Sequence, residues 1–317
     1  MRAARLIAPR KIVIEDARLP DPGARQVRIK IRGSGVCASN LGPWLGLPWL
    51  KYPLAPGEGG HEAWGVVDAV GSEVSTLSAG DHVAAVSYNA YAEYDVADEH
   101  AVVKVPDSLR AQVFPGEALG CAMNIFRRSR IERGQVVAIL GIGFLGALLT
   151  RLATSAGARV IAISRRPFAL ELARAMGADE LVAMQDHREV VERVQALTDG
   201  KFCDRVIEAV GKQWPLDLAG ELCKTHGLLA IAGYHQDGPR QVNLQLWNWR
   251  GLDVVNAHER ETSVYARGIE LAAQAIESQA LDPTPLYTHF YPLERLDEAL
   301  DATSERPVGF MKALCMP

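Results

Sequence analysis

Three stretches of the sequence carry side chains of the types that bind metal ions and move protons. Cys37 lies among small residues, His61 and Glu62 follow a run of glycines, and Glu117 precedes Cys121 by one helical turn. A thiolate, an imidazole and a third thiolate or carboxylate form a sound zinc-ligand set, with one position left open for a substrate. On a helix, Glu117 and Cys121 would share one face, so either of them could approach the metal. The spacing therefore predicts one catalytic metal site.

Each of these residues also has a structural interpretation. A cysteine with small neighbours, such as Cys37, is usually a buried apolar residue when it stands alone. The other three cysteines, Cys203, Cys223 and Cys315, fall on apparent strand or helix positions, and we expect them in the core. The metal interpretation depends on Cys37 occurring together with the His61-Glu62 pair.

A glycine pattern predicts a dinucleotide-binding turn. The apolar run from Val136 to Leu140 has the composition of a parallel strand buried on both faces, and a helical pattern follows over 147–156. Between them lies a GxGxxG fingerprint in the strand–turn–helix order that a dinucleotide site requires. A purely structural turn is the alternative. The fingerprint residues are Gly141, Gly143, Phe144, Leu145 and Gly146.

The end of the next predicted strand, over 159–163, favours NADP(H) over NAD(H). A site specific for NAD usually ends this strand with an acid that accepts hydrogen bonds from the ribose 2′-hydroxyl. Ser164 takes that place here, and Arg165 and Arg166 follow it. A guanidinium matches a 2′-phosphate with paired, charge-assisted hydrogen bonds. Two solvated arginines on a loop are the alternative, and NAD use stays open.

The pattern of elements predicts a two-domain α/β protein. Residues 1–112 contain mostly short, alternating strands, which indicates a small barrel-like β domain, whereas residues 122–259 alternate strand and helix. Gly211 and Gly233 follow the predicted strands over 206–210 and 228–232, at the sheet edge where α/β folds hold ligands.

Composition excludes several functional classes. The 317 residues carry a formal net charge of −4, which gives no reason to expect nucleic acid or an anionic membrane as a partner. No apolar run reaches transmembrane length. Five scattered cysteines argue against a disulfide framework, and the reducing cytoplasm is the simplest location.

Taken in order, these motifs resemble those of the medium-chain dehydrogenase/reductase superfamily, in its zinc-type alcohol and polyol dehydrogenase branch. The Gly-x-Cys, Gly-His-Glu and GxGxxG motifs and the Gly80-Asp81-His82-Val83 turn occur in the family order over nearly the whole chain. The resemblance implies a GroES-like β-barrel catalytic domain over 1–121 and 260–317. It also implies a Rossmann dinucleotide-binding domain, with a doubly wound parallel sheet, over 122–259.

The same resemblance implies the chemistry. Hydride would pass between an alcohol or carbonyl substrate and the nicotinamide, with one zinc ion at Cys37, His61 and Glu62, and Ser39 as the proton carrier. Glu117 falls on the acidic position of polyol-type members, and Cys121 falls on the third cysteine ligand of alcohol-type members. A homodimer or homotetramer is implied as well, with Trp247 and Trp249 near the strand that pairs subunits.

Three departures from the family pattern qualify these expectations. No cysteine lies between Cys37 and Cys121, so a structural zinc is not expected. Asn40 stands where many members have an aspartate that orients the zinc-bound histidine, so zinc affinity is expected to be lower. Gly42 stands where a histidine often completes the proton relay.

Two alternatives to this function remain. One is a zinc-independent reductase of the same superfamily, acting on enones or quinones. The other is a binding protein that keeps the fold without turnover, which would bind the cofactor without any cofactor-dependent reaction. Metal analysis and a turnover assay would separate the three.

Overall fold

The computed structural model describes all 317 residues and divides them into two compact units. The first unit contains Met1–Cys121 and Arg260–Pro317, and the second contains Ala122–Glu259. Strands and helices are numbered below in chain order. No helix combines the length and apolar character needed to cross a membrane.

Strands dominate the first unit. They are β1 (Arg2–Ala8), β2 (Lys11–Asp16), β3 (Gln26–Val36), β4 (Glu62–Val70), β5 (His82–Ala85), β6 (Tyr94–Asp98), β7 (Val102–Lys104), β14 (His289–Pro292) and β15 (Ala313–Met316). β1 and β2 form a hairpin, and the other seven form one sheet in the order β14-β15-β3-β4-β5-β7, with β6 also paired to β3. Its helices are α1 (Leu41–Leu45), α8 (Thr262–Glu277) and α9 (Leu296–Glu305), and α2 (Gly116–Ser129) begins in this unit.

β3 is the strand around which the first unit is built. Its first half alternates, with Val27, Ile29 and Ile31 buried and the residues between them more exposed, as the sequence pattern predicted. The strand runs on to Val36, and this second half is buried throughout except for Arg32. The extension carries the chain to the position of Cys37.

The second unit alternates strands and helices. They are β8 (Val136–Leu140), α3 (Phe144–Ser155), β9 (Arg159–Ser164), α4 (Pro167–Ala175), β10 (Glu180–Ala183), α5 (His187–Leu197), β11 (Cys203–Glu208), α6 (Gln213–Leu222), β12 (Cys223–Ile231), α7 (Leu244–Arg250) and β13 (Asp253–Asn256). All six strands are parallel, in the order β10-β9-β8-β11-β12-β13.

The direction of the strand order reverses between β8 and β11, which is the topological switch point where doubly wound sheets bind ligands. Val137 to Leu140 in β8 are fully buried, which explains their unbroken apolar run. The predicted α/β fold with a Rossmann sheet is confirmed. The sequence reading placed β11 and β12 a few residues late and missed β10, whose four residues give too short a pattern.

Candidate metal and cofactor sites

The predicted ligands Cys37, His61 and Glu62 lie together in the first unit. One ligand atom from each lies within 4.8 Å of the others. Cys37 directly follows β3, His61 directly precedes β4, and Glu62 opens β4 opposite Gly35 of β3. Two neighbouring antiparallel strands therefore bring a sulfur, a nitrogen and an oxygen donor to one end of the sheet.

The local hydrogen bonds orient the His61 ring for metal binding. Nδ1 lies 2.8 Å from the carbonyl oxygen of Gly59, which can only accept, so Nδ1 donates and the neutral ring carries its lone pair on Nε2. Nε2 lies 3.5 Å from Ser39 Oγ. Burial opposes protonation of the ring, but contact with Cys37 and the nearby carboxylates outweigh it and raise the pKa of His61 to about 10. The pocket therefore attracts positive charge.

Asn40 does not orient His61 in the way the sequence reading expected. Its Nδ2 donates to Gly59 O at 2.9 Å, and its Oδ1 accepts from Tyr91 Oη at 2.9 Å and from the backbone N–H of Cys37 at 3.3 Å. The acceptor for the histidine is the Gly59 carbonyl, which Asn40 holds in place. The amide of Asn40 therefore acts on His61 through Gly59, and a zinc affinity lower than that of relatives with an aspartate stays a prediction.

Glu117 and Cys121 form a separate pair on α2, outside the three-residue donor group. Cys121 Sγ donates to Glu117 Oε1 at 3.1 Å, and the Tyr265 hydroxyl on α8 contacts the same thiol. Burial raises the pKa of both Glu117 and Cys121, and the adjacent carboxylate raises that of the thiol further. Glu117 is close enough to His61 for the two charges to interact. Cys121 in turn interacts electrostatically with Cys37 and Glu62, so both members of the pair lie near the donor group and the choice between them stays a prediction.

Lys312 is a residue of this site that the sequence reading missed. Its Nζ donates to Glu62 Oε1 at 2.6 Å and lies equally close to Oε2. A signal was present, because Lys312 is the one charged residue in the apolar stretch over 310–317. A lysine in such a pattern requires a buried partner of opposite charge.

Four aromatic residues of the first unit divide into a buried pair and an exposed pair. Trp44 and Tyr91 are buried and hydrogen-bonded, with Trp44 Nε1 donating to Asp301 Oδ1 at 2.8 Å, so they pack the core. Trp49 and Tyr88 are exposed.

In the second unit, each fingerprint glycine has a distinct geometry at the end of β8. Gly141 has φ +92°, and a Cβ there would lie 2.5 Å from the side chain of Val210. A Cβ on Gly146 would lie 2.1 Å from Gly141 O, whereas one on Gly143 would meet nothing within 4 Å. Phe144 and Leu145 open α3, whose first N–H groups face this turn. The open side of the turn is therefore at Gly143.

The three residues predicted to discriminate between cofactors follow one another at the end of β9. Ser164 is the last residue of the strand, and its Oγ accepts from Arg166 N at 3.3 Å. The Arg166 guanidinium donates to Ile142 O, inside the glycine turn, at 3.1 Å. Arg165 is exposed and makes no hydrogen bond or ion pair. Arg166 thus supports the turn, and Arg165 is left free for a ligand.

Glu208, another residue the sequence reading missed, joins the turns after β11 and β12. Its carboxylate accepts from the N–H groups of Val210 and Gly211 at 2.7 and 2.8 Å, and His235 Nε2 lies 3.0 Å away. A Cβ on Gly233 would lie 2.7 Å from Glu208 Oε2 and 2.2 Å from Gly211 N. The two predicted glycines are therefore needed for the close approach of these turns.

A glycine fingerprint at the switch point of a parallel sheet, and a Cys-His-Glu donor group in a separate β unit, are typical of two-domain oxidoreductases. Family profiles agree: that of zinc-binding dehydrogenases matches residues 145–274, and that of the alcohol dehydrogenase GroES-like domain matches residues 23–107. The chain belongs to the medium-chain dehydrogenase/reductase superfamily.

Individual relatives span both branches considered above. A quinone oxidoreductase of Pseudomonas aeruginosa PAO1 is 31% identical over 77% of this chain and 75% of its own length. The sorbitol dehydrogenase of Bacillus subtilis 168 is 26% identical over 100% of this chain and 97% of its own. The NADP-bound structure of a candidate zinc-binding dehydrogenase from Sinorhizobium meliloti 1021 has a TM-score of 0.85 at 23% identity, covering 100% of this chain and 99% of that one.

Proposed function

We propose that this protein is a zinc-dependent oxidoreductase that transfers hydride between an alcohol or carbonyl substrate and NADP(H). The observation that carries the proposal is the Cys37, His61 and Glu62 group, with His61 Nε2 presented by the Gly59 carbonyl. Sulfur, nitrogen and carboxylate donors are the set that zinc accepts, and they lie within 4.8 Å of one another. Cys37 and His61 would hold the ion, with Glu62 and either Glu117 or Cys121 as exchanging ligands. These residues therefore fit a resident zinc ion.

Zinc, when bound there, lowers the pKa of an alcohol hydroxyl and polarises a carbonyl, so that the reaction runs in either direction near neutral pH. The side chains around it would orient the substrate and move its proton. Ser39 Oγ, 3.5 Å from His61 Nε2, would accept that proton in oxidation and return it in reduction. Gly42 offers no further side chain, so the proton would continue through water.

NADP(H) is the proposed cofactor because the end of β9 lacks the acid that would repel a 2′-phosphate and carries an unpaired arginine next to that position. Ser164 replaces that acid, and Arg165 is exposed beside it with no partner in the protein. The pyrophosphate would lie at the open face of Gly143, against the N-terminus of α3. The turns at Gly211 and Gly233, joined by Glu208, would then border the nicotinamide half.

The test is metal content combined with activity. Purified protein should hold one zinc per subunit, and removing the zinc or making Cys37→Ala should abolish alcohol-dependent NADP⁺ reduction. Cys203→Ala is the matched control, since Cys203 is a buried free thiol of the second unit and should leave both zinc and activity unchanged. Full activity in zinc-free protein would refute the proposal.

The quinone oxidoreductase relative, at 31% identity, favours one second candidate: a metal-independent reductase of enones or quinones. Activity towards a quinone that survives chelation and the Cys37→Ala change would establish this candidate instead. The donor group favours the zinc enzyme, because a reductase without metal has no use for a buried carboxylate beside a thiol and an imidazole.

We also propose that two copies associate through β13, the edge strand of the six-stranded sheet. β13 is mostly exposed and leaves one row of backbone groups unpaired, and Trp249 on the preceding helix is 87% exposed. A two-fold axis would pair two such edges antiparallel and cover both tryptophans. Sedimentation should give a dimer or tetramer mass, and Val254→Lys, which adds a charge to the edge, should lower it.

A further inference from the structure

Glu62 and Lys312 form a buried ion pair that reaches across an intervening strand. Glu62 lies on β4 and Lys312 directly precedes β15, while β3 runs between these two strands and pairs with both. Lys312 Nζ lies 2.6 Å from the Glu62 carboxylate, and the two residues are 5% and 1% exposed. The two side chains therefore meet over the backbone of β3.

Gly35 is the residue of β3 that they cross. It pairs in register with Glu62 on one side and with Leu314 on the other. A Cβ at this position would lie 1.7 Å from Glu62 Oε2 and 3.0 Å from Lys312 Cε. Any residue larger than glycine would displace the carboxylate, so β3 provides a specific space for this pair.

Stability alone does not account for the pair. A buried ion pair usually contributes no more than apolar side chains of similar volume would, because both charges lose their hydration. The consequence that distinguishes this pair is where its carboxylate lies: Glu62 belongs to the donor group with Cys37 and His61. Lys312 and a metal ion would therefore compete for the same oxygens.

The geometry of the carboxylate supports the competition. Glu62 Oε2 has no hydrogen bond of good geometry although Nζ is close, so that oxygen keeps its lone pairs for another partner. A small rotation of the carboxylate would exchange one cation for the other.

We propose that Lys312 is a positioning residue that holds Glu62 away from the zinc ion and so keeps one coordination position open for the substrate oxygen. The inference rests on the proposed zinc function. Without the ammonium, the metal ion is the strongest positive charge within reach of the buried carboxylate, and Glu62 becomes a permanent ligand. Lys312 thus lowers zinc affinity in exchange for an open site.

The variants are Lys312→Met, which keeps the length and removes the charge, Lys312→Gln, which keeps a hydrogen-bond donor, and Lys312→Arg as the conservative control. We expect zinc to bind about 10- to 100-fold more tightly to Lys312→Met in chelator competition, since removing the ammonium leaves a buried carboxylate without its partner and zinc relieves part of that cost. Lys312→Gln should show a smaller gain, and Lys312→Arg should match the wild type.

Spectroscopy of the cobalt-substituted proteins gives a readout independent of turnover. The visible spectrum of the wild type should change when imidazole or an alcohol is added, whereas that of Lys312→Met should not respond, because Glu62 fills the open position. The kcat of Lys312→Met should fall, whereas its KM for NADPH should equal that of the wild type. Adding Glu62→Gln to Lys312→Met should remove the gain in affinity and restore the spectral response.

Two outcomes would overturn the inference, and they are distinguishable. If wild-type protein binds zinc and Lys312→Met shows the same affinity and spectrum, the positioning role is wrong and the zinc function stands. If wild-type protein binds no zinc and is fully active, both fall. If Lys312→Met does not fold without metal, Lys312→Gln is used instead. The chelator concentration that removes its zinc is then compared with that of the wild type: a higher concentration supports the inference, and an equal one overturns it.

Discussion

Replacing Arg165 by alanine should weaken NADPH binding and leave NADH binding nearly unchanged. The Arg165 guanidinium is exposed and has no partner in the protein, so its removal breaks no internal contact. A hydrogen bond to a charged group contributes about 1.5–3 kcal/mol, which is about 10- to 150-fold in affinity. Because solvent screens an exposed guanidinium, we expect the lower end, about 10- to 30-fold.

Arg166→Ala should behave differently, although the two arginines are adjacent. Its guanidinium donates to Ile142 O within the glycine turn, so the change should weaken NADPH and NADH together. Ser164→Asp combined with Arg165→Ala should reverse the preference. The new carboxylate can accept from Arg166 N as the serine oxygen does, and it repels a 2′-phosphate.

The assay is kcat/KM for both cofactors with one carbonyl substrate, supported by dissociation constants from cofactor fluorescence. Arg174→Ala is the control, since Arg174 is an exposed arginine of α4 paired only with Glu171. Equal losses for NADPH and NADH in Arg165→Ala would refute the assignment of the phosphate contact. A wild type that prefers NADH would refute the cofactor assignment itself.

Three further changes test the metal site and the stability of the first unit. Glu117→Gln should weaken zinc binding about tenfold or more whereas Cys121→Ser retains zinc, because the proposed polyol-type arrangement assigns the exchanging ligand to the carboxylate, to which the thiol only donates. Metal content after dialysis decides, and the reverse result would make Cys121 the ligand. Asn40→Asp should lower the free energy of unfolding by about 1–3 kcal/mol, because it replaces the donor to Gly59 O by an acceptor. An unchanged Tm at neutral pH would contradict the role of Asn40 as the donor to Gly59. Hydrogen bonds from the 75–76 loop lower the pKa of Glu99 from 4.5 to about 2, so its carboxylate stabilises the fold above pH 4.5 and loses that effect as the pH falls towards 2. The Tm difference between the wild type and Glu99→Gln should shrink over that interval, and a difference independent of pH would argue against it.

The second unit was the more predictable part of the fold, because its signals are local. An apolar run such as 136–140 is a strand buried on both faces, and the glycine turn after it leaves few alternatives. The boundaries of β11 and β12 were less accurate. Their polar first residues, such as Asp204 and Lys224, interrupt the apolar pattern but pair with each other by a salt bridge.

The candidate site was predictable only in part. Short motifs identified Cys37 and His61, but the role of Asn40 depends on Gly59 and Tyr91, whose contacts with it arise from folding of distant loops. Lys312 could not be paired from the sequence. Its partner Glu62 lies 250 residues away, and no periodic pattern links two positions at that distance.

The separation of 250 residues between Glu62 and Lys312 also determines the order in which parts of the site form during synthesis. The residues of the second unit, Ala122–Glu259, are contiguous and all emerge from the ribosome after Glu62 and before Lys312. That unit can complete its sheet during synthesis, whereas the first unit waits for β14 and β15 to join β3. Until β15 docks, the Glu62 carboxylate has no ammonium beside it and is free to take up a metal ion. Zinc acquired on the nascent chain would be held by Glu62 as well as by Cys37 and His61, and arrival of Lys312 would then release one ligand. On the zinc proposal, maturation of the site would be a step of late folding, set by the position of β15 in the chain.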